Sequence, residues 1–168
     1  MRDMNNLNIE ELANYKGFTY MVVAFDMGHR CGYVKIPSKH PLFGKGYSDN
    51  SSFSPEVLQN LPIGDRGMIA LITMDPAFVR IVDLFDVHGS LTFAGNYWDD
   101  KDWWLGFDCA HAGDAKDVTI MSKKYQEVEA KYLSWREPGD KVWRQADVAG
   151  QCKSLIIQII HYFPEEVI

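Results

Sequence analysis

The sequence predicts an α+β fold, in which an antiparallel or mixed β-sheet is covered on one face by C-terminal helices. Two observations favour this class. Before the last third of the chain, short runs of β-branched and aromatic residues alternate with turn signals, which is typical of strands. From Ala146 onward the apolar spacing becomes helical, and Pro164 stops the pattern after about four turns. Its apolar positions are Val148, Cys152, Leu155, Ile156, Ile159, Ile160 and Phe163.

The N-terminal elements are predicted as a short helix followed by a hairpin. "NIEELANY" favours a helix, with Asn8 as its N-cap and Glu10 and Glu11 in the first turn. "FTYMVVAF" then predicts a strand, "DMGH" a turn and "RCGYVKIP" the returning strand.

The middle of the chain predicts a long loop and further strands. Residues 38–62 are rich in Gly, Pro, Ser, Asn and Asp, which is typical of a surface loop. The segments predicted as strands after it are "GMIALITM", "VRIVDLF", "DVHGSLTFAG" and "DWWLGFDCA". "SKKYQEVEAKYLSW" has the composition of a helix. The chain shows no internal repeat, and its 168 residues fit a single domain spanning 1–168.

Composition and charge narrow the function classes. The chain is 46% hydrophobic and 24% charged, as expected of a folded protein and not of a disordered one. Its formal net charge of -6 argues against broad binding to duplex nucleic acid, which requires a positive surface. No apolar run approaches the roughly 20 residues that span a bilayer. We therefore expect neither duplex nucleic acid nor a membrane as partner.

The cysteines and the N-terminus indicate the compartment. Cys31, Cys109 and Cys152 are odd in number and widely spaced, so they predict neither a disulfide framework nor a zinc motif. The first residues lack the apolar stretch of a secretory signal. A reducing cytoplasm is the expected location.

Three long segments resemble a known group of proteins. "GHRCGYVKIPSKHPLFGKGY", "DVHGSLTFAG" and "WWLGFDCAHAGD" are similar to segments shared by a family of small, largely uncharacterised bacteriophage and prophage proteins. The resemblance covers most of residues 16–114 and, more loosely, the C-terminal helix. It implies a phage origin, action in the cytosol of an infected bacterium and interference with host defence, and it supplies no catalytic residues.

One group of residues has the chemistry of a hydrolytic centre. His88, Asp108, His111 and Asp114 could supply nitrogen and oxygen ligands for a divalent metal ion, which would activate a bound water. The sequence does not require this cofactor, and no tight motif such as HExxH is present. A buried histidine bonded to an aspartate, or Asp108 capping the turn after its strand, would explain the same residues structurally.

A cysteine nucleophile is a second interpretation of the same segment. Cys109 could be activated by His88 or His111 as base, with Asp108 or Asp114 orienting that base. The alternative is that Cys109 is a small buried residue, as free cysteines usually are.

A third group would bind a ligand. Basic side chains stand among glycines and prolines in an otherwise acidic chain and could hold phosphate oxygens; these are Arg30, Lys35, His40 and Lys45. Trp98, Trp103 and Trp104 could stack a base. A solvated basic face and ordinary tryptophan packing are the alternatives.

Three functions remain open from the sequence. The first is a phage counter-defence protein that sequesters a small nucleotide-like host immune signal, as a homo-oligomer if it resembles other sequestering proteins. The second is a metal- or His/Asp-dependent hydrolase of such a molecule. The third is an inhibitor that binds a host defence protein through the aromatic and acidic loop from Tyr97 to Trp104.

Overall fold

A computed structural model describes residues 7–49, 80–96, 101–129 and 139–164 of the chain. Five strands form one antiparallel sheet in the order β1-β2-β3-β5-β4, and two short strands pair in parallel beside it. The strands are β1 (Asn8–Tyr15), β2 (Phe18–Ala24), β3 (Arg30–Ile36), β4 (Phe93–Gly95), β5 (Trp103–Asp108), β6 (Asp114–Ala115) and β7 (Lys141–Val142). The helices are α1 (Ile81–Leu84), α2 (Lys123–Glu129) and α3 (Gln145–Tyr162).

The main core lies between the sheet and α3. Alternate residues of β2, such as Phe18, Tyr20 and Val22, point into this core, while Met21 and Val23 join a smaller cluster on the other face. Helix α3 packs against β1, β2 and β3. The predicted α+β class, with a C-terminal helix covering one face of the sheet, is confirmed.

Helix α3 follows the predicted apolar pattern. Val148, Cys152, Leu155, Ile156 and Ile159 are all buried, and the helix ends at Tyr162, two residues before Pro164. The helix approaches the sheet closely at Gly32, where an added Cβ would lie 2.7 Å from the Cys152 sulfur. A glycine at this strand position therefore allows the helix to sit against β3.

The first element is a strand, so the helix predicted for "NIEELANY" is wrong. Strand β1 pairs with β2 through a two-residue turn at Lys16 and Gly17, which have φ of 48° and 87° as a type I′ hairpin requires. The register shifts between Ile9 and Glu11, leaving Glu10 as the extra residue of a β-bulge. Pairing with β2 overrides the helix-forming composition of this segment.

The other predicted elements have mixed outcomes. The hairpin of β2 and β3 is confirmed, as is β5, while "DVHGSLTFAG" forms a strand only at Phe93–Gly95. "VRIVDLF" was predicted as a strand, but Ile81–Leu84 is one helical turn that buries Ile81 and Leu84 three residues apart. Such short apolar runs do not distinguish a buried strand from a buried helical turn.

Parts of the predicted elements lie outside the described residues. Residues 38–49 contain turns and no strand or helix, in keeping with the predicted loop, and its remainder is not described. The predicted strand "GMIALITM" also lies outside the described residues. Of the segment predicted as a helix at residues 122–135, the first part forms α2 and residues 130–135 are not described. Within the described ranges, no helix is both long and apolar enough to cross a membrane. The expected host cytosol stays a prediction.

Candidate functional site

Two segments of the chain bring two histidines and an aspartate together beside the sheet. His88 lies in the loop between α1 and β4, His111 in the loop after β5, and Asp114 at the start of β6. One ligand atom from each of these residues lies within 4.8 Å of the other two. We call His88, His111 and Asp114 the His-His-Asp centre.

Asp114 is the most firmly held member of this centre. Its Oδ2 accepts the His111 backbone N–H at 2.8 Å and lies 2.8 Å from Nε2 of His88. Its Oδ1 accepts the Nε1–H of Trp143 at 2.8 Å. Burial alone would raise the pKa of Asp114, but the bonds from His88, the His111 backbone and Trp143 outweigh it and lower that pKa below its ordinary value.

Trp143 is a site residue that the sequence analysis missed. Its ring centroid lies 4.1 Å from that of His88, and it reaches Asp114 because β6 pairs with β7 directly before it. The carbonyl oxygen of Trp143 accepts Nη1–H of Arg30 at 3.0 Å. Since Asp114 and Trp143 are 29 positions apart, no local sequence signal could have paired them.

His111 is packed against a glycine. A Cβ built on Gly89, whose φ is +66°, would overlap the His111 ring, so this ring occupies the space that a side chain at position 89 would take. Nδ1 of His111 is buried, has no hydrogen-bond partner, and lies 3.7 Å from both Asp108 Oδ1 and Asp114 Oδ2. This is a buried polar atom aimed at two carboxylates.

A pocket of about 390 Å³ adjoins the centre and shares His88 with it. Helix α3 positions the pocket loop, because Gln151 accepts the His88 backbone N–H at 3.0 Å and Gln158 bonds both backbone groups of Asp86. The lining residues are Asp86, Val87, His88, Gly89, Trp143, Gln151 and Ser154. A small molecule in this pocket would contact His88.

Asp108 and Cys109 have simpler surroundings. Asp108 Oδ1 accepts the backbone N–H of Ala110 at 3.2 Å, the turn-capping role given as its alternative. Cys109 is buried, and burial together with the charge of Asp114 raises the pKa of its thiol far above the ordinary value. A thiol in these surroundings stays protonated at neutral pH, which favours the packing interpretation of Cys109 over the nucleophile.

The predicted phosphate-binding residues do not form one cluster of free donors. Arg30 is 5% exposed and its guanidinium bonds Glu10, Asp117 and the Trp143 carbonyl. His40 is buried between the rings of Phe18 and Phe163. These two side chains are therefore parts of the protein interior.

The remaining members of that group are spread over both faces of the sheet. Lys35 pairs with Asp102 at 2.6 Å, and Trp104 is buried in the smaller cluster on the same face. Trp103 packs against the main core on the other face, and its Nε1 donates to the carbonyl oxygen of Lys45 at 3.1 Å. Trp98 lies outside the described residues.

Comparison of the chain with protein-family models, curated proteins and solved structures finds no match. The resemblance to phage proteins therefore stays a prediction.

Proposed function

We propose that the chain is a hydrolase of a small polar molecule, with His88 and Asp114 as its acid–base pair. The observation that carries this proposal is the 2.8 Å contact between Nε2 of His88 and Oδ2 of Asp114 at the wall of the pocket. A histidine held by a buried carboxylate and in contact with a cavity is the usual arrangement of a general base.

The hydrogen bonds around Asp114 support Nδ1 of His88 as the base. Asp114 accepts N–H bonds at both oxygens, from Trp143 and from the His111 backbone, so it acts as an acceptor toward His88 as well. Nε2 of His88 then carries the hydrogen, and Nδ1 is the nitrogen that can take a proton. The three donors around Asp114 hold it, and with it the imidazole, in one orientation.

The reaction that fits this pair is the attack of water on an ester, phosphoester or anhydride. His88 Nδ1 takes a proton from water while the water oxygen bonds to the electrophilic atom. The bond to the leaving group breaks, and His88 returns the proton to that group. Each turnover consumes one water and leaves the protein unchanged.

The substrate class is taken from the resemblance to phage proteins, which makes a nucleotide-like host signal the first class to test. Among the seven lining residues one, Asp86, carries a carboxyl group, and none is lysine or arginine. This lining suits a base or ribose better than a phosphate group. We therefore expect the uncharged part of such a molecule to occupy the pocket.

Sequestration without catalysis loses support because two of its predicted phosphate ligands, Arg30 and His40, are buried. The inhibitor hypothesis depends on a loop whose residues 97–100 are not described. Both hypotheses, and the counter-defence role, stay predictions.

The test is product analysis by liquid chromatography and mass spectrometry. The full chain is incubated with cyclic nucleotides, cyclic dinucleotides and ADP-ribose-type nucleotides, together with the variants His88→Ala and His161→Ala. We expect a product from at least one substrate, a rate reduced by about 10²- to 10⁴-fold in His88→Ala, and an unchanged rate in the control, because His161 lies exposed at the end of α3. Equal turnover by His88→Ala, or every substrate recovered intact, would contradict the proposal.

A further inference from the structure

We propose that the His-His-Asp centre binds one divalent transition-metal ion of the zinc class. Its donors are the imidazole nitrogens of His88 and His111 and a carboxylate oxygen of Asp114. Imidazole favours zinc and its neighbours in the first transition row, whereas magnesium and calcium sites are built from oxygen ligands. Three protein ligands leave a coordination position for water, as in catalytic zinc sites.

The spacing of the donor atoms fits a shared ion. Bonds of about 2.0–2.1 Å to zinc place neighbouring ligand atoms about 2.9–3.4 Å apart at the usual bond angles. Nε2 of His88 lies 2.8 Å from Oδ2 of Asp114, and Nδ1 of His111 lies 3.7 Å from that oxygen. All three donors lie within 4.8 Å of one another, so rotations of the side chains would bring them to a single ion.

The surroundings of His111 supply an independent argument. Its Nδ1 is buried without a hydrogen-bond partner, although an unsatisfied buried nitrogen is costly and usually has a structural reason. The ring is also held in place by its contact with Gly89, a position where any larger residue would collide with it. A metal ion would satisfy the nitrogen that the protein itself leaves unbonded.

The outer contacts are those of a metal site. Nε1–H of Trp143 donates to Oδ1 of Asp114. The backbone N–H of His111 donates to Oδ2, the oxygen that also contacts His88. Asp108 Oδ1 lies 3.7 Å from Nδ1 of His111, close enough to be a further ligand or to bond a coordinated water. Such second contacts orient metal ligands in proteins generally.

Metal binding would change how the attacking water of the proposed hydrolase is activated. The ion would take the place of the hydrogen between His88 Nε2 and Asp114 Oδ2, and that hydrogen would move to Nδ1, so that His88 stays a neutral imidazole. It would then lower the pKa of its bound water, so that a metal-bound hydroxide replaces the base role of His88. This catalytic role rests on the proposed hydrolase, whereas binding of the ion does not.

The binding test uses the full chain after removal of metals with a chelator. The protein is titrated with Co²⁺, which reports its ligands through its visible absorption bands, and with Zn²⁺ in competition with a chelating dye. We expect one ion per chain and a Kd for Zn²⁺ that rises at least about 100-fold in His111→Ala, because loss of an outer contact alone costs about 10- to 100-fold. The control His161→Ala also removes one histidine, and we expect it to bind like the unmodified chain.

Circular dichroism is used to check that His111→Ala is folded. Asp114→Asn serves as a second variant of the same centre. No Co²⁺ absorption bands, or equal Zn²⁺ affinity in His111→Ala and His161→Ala, would overturn the metal site. Turnover that survives metal removal would then leave the His88–Asp114 hydrolase standing. One tightly bound ion without turnover of any nucleotide would support the metal site and overturn the hydrolase instead.

Discussion

Arg30 and Asp117 form an ion pair inside the protein, with 2.8 Å between Nη1 and Oδ2 and side-chain exposures of 6% and 3%. Arg30 also forms a two-bond contact with Glu10, the bulged residue of β1, and donates to the carbonyl oxygen of Trp143. One guanidinium thus links β1, the segment around Asp117 and the residue that holds Asp114.

Replacing Arg30 by methionine should lower the free energy of unfolding by about 3 kcal/mol, because it leaves the buried carboxylate of Asp117 and the half-buried carboxylate of Glu10 without one of their partners. Arg144 and Thr119 also bond Asp117, so the loss should not exceed that figure greatly. Urea unfolding measures the change. Arg80→Met is the matched control, because Arg80 forms an exposed pair with Asp83 and its loss should leave the unfolding midpoint unchanged. Equal midpoints for the two variants would contradict the structural role of Arg30.

Replacing Gly89 by alanine should displace the His111 ring and weaken Zn²⁺ binding at least about tenfold. Two effects combine here, since alanine is strained at the φ of +66° and its Cβ overlaps His111. Gly17→Ala separates them, because Gly17 has a φ of +87° but no atom within 4 Å of an added Cβ. Both variants should lose about 1 kcal/mol to strain. Only Gly89→Ala should shift the imidazole resonances of His111 in NMR spectra, and unshifted resonances would contradict the contact.

Replacing Trp143 by phenylalanine should destabilise the protein more than the same change at Trp103. Trp143 donates to the buried carboxylate of Asp114, and bonds to charged groups contribute about 1.5–3 kcal/mol. Trp103 donates to the neutral carbonyl of Lys45, for which about 0.5–1.5 kcal/mol is usual. Unfolding free energies from urea titration measure both. The same or a smaller loss at Trp143 would show that its bond does not hold Asp114.

His40 should make stability fall between about pH 6.5 and pH 4. Burial lowers its pKa from the ordinary 6.5 to about 4, so in this window the unfolded chain binds a proton that the folded chain does not. The stability difference is absent above pH 6.5 and reaches about 3 kcal/mol near pH 4. His40→Asn keeps an acceptor for the Leu42 backbone N–H but does not titrate. Unfolding measured across this pH range should show a shallower loss for His40→Asn, and parallel curves would refute the assignment.

Cys109 should resist alkylation in the folded protein. It is 3% exposed, and its raised pKa keeps the thiol protonated at neutral pH. We expect iodoacetamide at pH 7.5 to modify Cys109 at least roughly 100-fold more slowly in the native chain than in denaturant, as followed by peptide mass spectrometry. Cys31 and Cys152 are also buried and should be protected alike. Rapid and selective modification of Cys109 would revive the nucleophile hypothesis.

Periodic and local signals were sufficient for the fold class and for some of its elements. The hairpin of β2 and β3, strand β5 and helix α3 follow from β-branched runs, turn residues and helical apolar spacing, because each pattern must bury its own apolar side. The four residues predicted for the hydrolytic centre also lie near one another, since their segments end at neighbouring parts of the sheet.

The tertiary structure decided what depends on partners distant in the chain. Strand β1 has helix-forming residues, yet pairing with β2 and the contact of Glu10 with Arg30 make it a strand. The sequence predicted Arg30 as a phosphate ligand, but in the structure Arg30 is buried and bonds Asp117, which lies 87 positions away in the chain. The pairing of β6 with β7 places Trp143 beside Asp114. Such contacts are set by the free energy of burying charges and aromatic rings together, and a sequence read residue by residue does not contain that pairing.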